Sequence, residues 1–145
     1  MWTYEHSVEA VAGTDRIFEI LRDVGRWPEW NQGVERIDLD GPFATGTSGV
    51  MVIPGQGSLR FRLAWVGEGR GFEDETEIPG ADVVVRVHHS LEPLAAGGTR
   101  IIYRASVEGP AASTLGLELG PAVTADFPEV MAALAARAEA GLPAA

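Results

Sequence analysis

Apolar and polar positions alternate through most of the chain up to Glu108, and the alternation names the elements. Trp2, Tyr4, His6 and Val8 fall on one side of a first strand, with Thr3, Glu5, Ser7 and Glu9 on the other. That period of two is the mark of a half-buried strand. Gly13 breaks it. Thr14 is placed to cap a helix and Asp15 suits the positive end of its dipole. Ile17, Phe18 and Leu21 follow at helical spacing, which predicts a short amphipathic helix over 15–22. Arg26 to Asn31 predicts a second short helix or turn, with Pro28 early in it.

Strands then follow one another. Val34–Asp40, Val50–Ile53, the Leu59/Phe61/Leu63/Trp65 set, Phe72–Ile78, the Val83/Val85/Val87/His89/Leu91 set and the Ile101/Tyr103/Ala105/Val107 set are separated by Gly- and Pro-rich turns. Short turns between half-wet strands predict an antiparallel meander covered on one face. Beyond Gly109-Pro110 the spacing changes. Val123, Phe127, Val130, Met131, Leu134 and Ala138 recur at helical intervals. Gly120-Pro121 and Pro128 predict two helical segments or one kinked helix, Asp126 and Glu129 have the spacing of a capping box, and Gly141 and Pro143 stop the run. The wet-faced sheet must bury its other face against these helices, leaving a wedge where a ligand would fit.

These elements and residues resemble the SRPBCC superfamily of START-like, helix-grip fold, in its polyketide cyclase/dehydrase branch. The resemblance rests on Phe18-Glu-Ile-Leu-Arg-Asp-Val-Gly-Arg-Trp27-Pro28-Glu-Trp30-Asn31, with the Gly41-Pro42-Phe43 turn, Leu91-Glu92-Pro93, Gly97-Gly98-Thr99-Arg100 and the Ala/Leu-rich end in support. It implies an α+β fold: a curved antiparallel sheet of about six to seven strands wrapped around a long C-terminal helix, with two short helices after strand 1, in one domain over 1–145. It carries no shared catalytic set, so function has to be argued from the residues.

Composition removes several chemistries. The chain has 145 residues and no cysteine, which excludes disulfides and thiolate ligands or nucleophiles. All eleven basic residues are arginine, so no Schiff-base or phosphate-loop lysine exists. A net charge of −10 disfavours nucleic acid and anionic membranes. Adjacent His88 and His89 point to opposite faces and make a poor metal pair. The expectation is a cytoplasmic protein, monomer or homodimer, without cofactor, metal or integral membrane association.

By strand parity Tyr4, His6, Asp74, Thr76, His89 and Tyr103 point inward. His6, Asp74, His89 and Tyr103 are the candidate catalytic residues: a base for an α-proton and a donor for an enolate oxygen. Tyr4, Phe18, Trp30, Phe61 and Trp65 are candidate ligand contacts, as are Thr76, Val87, Tyr103, Phe127 and Met131. Aromatic lining suits a small hydrophobic or aromatic, lipid- or polyketide-like molecule. Three readings stay open: a binding protein for such a molecule, a polyketide cyclase/dehydrase-type enzyme, and a protein-interaction module acting through its surface.

Overall fold

The meander forms as the alternation predicts. The computed structural model describes residues 1–55 and 57–140; Gln56 of the expected turn, and Gly141 and Pro143, lie outside the described residues. The strands are β1 (Trp2–Ala10), β2 (Arg36–Leu39), β3 (Ser48–Ile53), β4 (Gly57–Gly67), β5 (Gly71–Ile78), β6 (Val83–Pro93) and β7 (Thr99–Glu108). They make one antiparallel sheet in the order β1-β7-β6-β5-β4-β3-β2.

Helix α1 (Thr14–Arg22) leaves β1 and runs into a 3-10 helix at Val24–Glu29. Gly13, and not Thr14, occupies the N-cap position, with no side-chain cap. The Trp27 indole N–H bonds the Leu21 carbonyl at 2.9 Å and ties the two helices together. At the C-terminal end, α2 (Ala112–Thr124) and α3 (Phe127–Ala140) form the two expected segments. The break falls at 125–126 and not at Pro121, which α2 carries inside it. No capping bond joins Asp126 to Glu129 among the described residues. Asp126 packs against Gly33, where a Cβ would stand 2.6 Å from its carboxylate oxygen. Burial there raises its pKa, and Glu129 adds to the rise. No helix among the described residues is long and apolar enough to cross a membrane.

The core lies between the concave face of the sheet and the helices. Ile17, Leu21, Leu63, Phe72, Ile101, Met131 and Leu134 are fully buried. Gly116 and Gly120 let α2 lie directly on the Trp2 ring. The convex face is wet and ionic. Arg86 on β6 reaches Glu108 at 2.9 Å and Glu75 at 2.6 Å, and Arg62 joins Glu75 at 2.7 Å.

This network sets an acid dependence. The Arg86 hydrogen bond, helped by Ser106, holds the Glu108 carboxyl below its ordinary range. A depressed carboxylate contributes stability above its unfolded-state pKa and loses it as pH falls through the folded-state value. Between about pH 6 and about pH 3, wild type should therefore lose more Tm than Arg86→Met. Partial exposure limits the difference to a few degrees. Thermal melts across that range check it.

Candidate functional site

The concave face carries a polar cluster at its centre. Register places His6 opposite Tyr103, Tyr103 opposite His89, and His89 opposite Phe72, so one row crosses β1, β7, β6 and β5. Asp74 follows Phe72 by two residues and returns to the same face. From there it reaches diagonally to His89, whose Nε2 stands 2.8 Å from Asp74 Oδ2. Diagonal cross-strand neighbours on one face are close enough for this.

Packing fixes the imidazole on two sides. The Phe72 ring stacks on it with centroids 4.0 Å apart, and Tyr103 meets it edge-on at 4.2 Å. His89 Nε2 faces a carboxylate and therefore donates, which leaves Nδ1 as an acceptor. That Nδ1 is buried and has no hydrogen-bond partner. Buried polar atoms without partners are rare enough to need a reason. Burial pushes the Tyr103 phenol far above its ordinary range, and the Asp74 charge adds to the shift. Tyr103 thus keeps its proton near neutral pH, which leaves its hydroxyl able to donate.

The other expected positions divide. His6 is half-buried on the same face, but two strands separate it from Asp74, about 14 Å in sheet spacing. Tyr4 is half-buried and meets Phe127 edge-on at 6.0 Å; Phe127 also covers Tyr103 at 5.6 Å. Thr76 and Val87 are buried on the concave side. Phe18, Phe61 and Met131 are packed core. Trp30 is buried beside Trp27, at the foot of a hollow between α1 and α3.

Trp65 is a correction. Strand β4 bulges between Leu63 and Trp65, so that Leu63 pairs with Asp74 while Trp65 pairs with Glu73. The extra residue reverses the parity, as a bulge does. Trp65 therefore leaves the concave face and stacks on outward-facing His88, centroids 5.4 Å apart. His88 in turn meets Glu73 at 3.2 Å. The Leu59/Phe61/Leu63/Trp65 alternation is unbroken in sequence and gives no sign of the bulge.

The wedge is also tighter than expected. Among the described residues, two hollows of about 490 and 240 Å³ lie outside it. The first is on the convex side, along Glu5, Ser7, Glu9, Arg100 and Ile102; the second is between α1, the 3-10 helix and α3. Phe127, Met131 and Leu134 fill the interior where the sequence suggested open space.

A sheet of this order gripping a broken C-terminal helix is the START-like, helix-grip architecture of the SRPBCC superfamily. The chain belongs to the polyketide cyclase / dehydrase and lipid transport family, matched over residues 1–139. Among solved structures, Zhui aromatase/cyclase from a Streptomyces species superposes with a TM-score of 0.79 at 16% identity, covering 98% of this chain and 96% of that one. Norcoclaurine synthase from Thalictrum flavum, in complex with dopamine and hydroxybenzaldehyde, gives 0.75 at 14% identity, over 98% and 88%. A START superfamily protein from Mycobacterium smegmatis gives 0.73 at 17%, over 95% and 97%. Identities this low establish a shared fold. No curated protein sequence matches the chain.

Proposed function

We propose that the protein binds a small hydrophobic or aromatic molecule on the concave face. One polar atom of the ligand is met by the His89 imidazole that Asp74 holds, with the Tyr103 hydroxyl beside it. The observation that carries this reading is the pair itself, set in an apolar interior with one imidazole nitrogen unpartnered. Apolar side chains of similar volume would serve stability as well or better, so a buried pair of this kind is weak evidence of a purely structural role. Tyr103, Tyr4 and Phe127 supply aromatic edges around it. The family description and a relative that holds dopamine and hydroxybenzaldehyde support the same ligand class. Entry requires Phe127 to swing away, and the break at 125–126 is where α3 would hinge.

A second reading has one specific observation in its favour. A carboxylate-held imidazole beside a phenol that burial keeps protonated near neutral pH offers a base and a donor, the two groups an aldol-type cyclisation needs. His89 would take the α-proton and Tyr103 would donate to the enolate oxygen. The enolate carbon would then attack a carbonyl carbon, and a later loss of water would give the dehydrated ring. The surface-interaction reading gains little, since among the described residues the exposed large apolar side chains are Met1, Val11 and Leu117, scattered along the chain.

The binding reading is tested with 1-naphthol and naphthalene. At concentrations well above its dissociation constant, 1-naphthol should raise Tm by several degrees, and naphthalene by less. Asp74→Asn should weaken 1-naphthol about tenfold, because the imidazole that meets the ligand hydroxyl then loses the carboxylate that orients it. Uniform absence of stabilisation, or equal binding by wild type and Asp74→Asn, would overturn it.

A further inference from the structure

Away from the concave face, the hollow of about 240 Å³ between α1, the 3-10 helix and α3 has an unusual lining. Arg16, Glu19, Ile20 and Asp23 are spaced i, i+3, i+4 and i+7, so one face of α1 and the residue just beyond it form one wall. Arg26 comes from the 3-10 helix and Arg137 from α3. Three of the eleven arginines in a chain of net charge −10 thus surround one small depression. Two of them are balanced locally: Arg26 meets Asp23 at 3.4 Å and Arg137 meets Glu29 at 2.6 Å. Arg16 makes no ion pair among the described residues.

The apolar part of the lining is Ile20 and Trp30, both buried. The two neighbouring tryptophans differ in one respect. The Trp27 indole N–H has the Leu21 carbonyl, whereas the Trp30 N–H is buried without an acceptor. No group of the described chain accepts from it, and a buried donor left so is a place where a small shift of the ring would admit a ligand oxygen. Arginine forks match the planar, bidentate geometry of carboxylates and phosphates, and they also stack on aromatic rings.

We propose that this hollow is a binding site for a small aromatic anion, an aryl phosphate or aryl carboxylate, separate from the concave-face site. The ring packs on Ile20 and Trp30. The anionic group faces Arg16 and takes a share of Arg26 and Arg137 from Asp23 and Glu29. The volume of about 240 Å³ admits one or two fused rings.

The probe is 1-naphthyl phosphate, followed by calorimetry and by quenching of tryptophan fluorescence at low salt. Saturable binding is expected. Arg16→Gln should weaken it about five- to tenfold, as the loss of one charge-assisted contact does. Arg16 is exposed and holds no partner, so this variant should melt like wild type. Arg137→Gln should weaken binding as well, and added salt should weaken it further. Asp74→Asn should leave it unchanged, and 1-naphthol should not compete. That separates this site from the concave face, whose own test can fail without affecting it. The proposal is overturned if Arg16→Gln binds like wild type, if Asp74→Asn abolishes binding, or if inorganic phosphate alone binds as tightly as the aryl phosphate.

Discussion

Replacing Phe72 by alanine is expected to lower the unfolding free energy by about 3–5 kcal/mol, the range for losing a buried aromatic ring. Phe72 is wholly buried and touches three other rings: His89 at 4.0 Å, Phe43 at 5.2 Å and Trp27 at 5.8 Å between centroids. Flat rings held by their own packing cannot readily collapse into the gap, so the cost should sit high in that range. Chemical denaturation measures it. The same substitution uncovers one face of the His89 imidazole. The variant should therefore gain more from 1-naphthol, in relative terms, than wild type does. A loss under about 1 kcal/mol would mean that the aromatic cluster is not the rigid wall described here.

Gly71→Ala is the second large effect, on the order of 3 kcal/mol from backbone strain and overpacking together. Gly71 opens β5 with φ at +135°, a region that side-chain-bearing residues rarely enter. A Cβ there would collide with the carbonyl oxygen of His89, the residue before its ladder partner Ser90 on β6. Backbone cannot rotate away as a side-chain tip can, so β6 would have to move. His89 would move with it, and the 2.8 Å contact to Asp74 would lengthen. The expected result is a lower melting temperature together with weaker 1-naphthol binding. Gly69→Ala makes a useful comparison, since its added Cβ meets no backbone and only the Asp15 carboxylate at 3.3 Å. If Gly71→Ala melts no lower than Gly69→Ala, β5 and β6 do not approach closely enough at Gly71 to exclude a side chain.

Both predictions act on the junction of Phe72 with the Asp74–His89 pair, and this junction was only partly legible in the chain. Strand parity placed Asp74 and His89 on the buried side correctly, because alternation depends on nothing beyond the local period of two. Their contact depends on register between β5 and β6, which pairs Phe72 with His89 and so makes Asp74 the diagonal neighbour. A slip of one residue would have turned the two groups to opposite faces. His6 shows the opposite outcome. Its parity was right, yet sheet order put β7 and β6 between it and Asp74.

The sequence by itself determined the elements, their order, the inward set on β1, β5, β6 and β7, an interruption somewhere in the C-terminal helical region and the absence of thiol and lysine chemistry. Each of these is a local property of period, punctuation or composition. Tertiary structure alone decided three things. The bulge at 63–65 turned Trp65 outward to His88, since a shift in ladder register leaves hydrophobic alternation untouched. Phe127, Met131 and Leu134 closed the wedge, because how far two layers stand apart is set by the summed volumes of side chains from distant segments. Arg16, Arg26 and Arg137 met around Trp30 only because α3 returns across α1, a juxtaposition of residues more than a hundred positions apart in the chain.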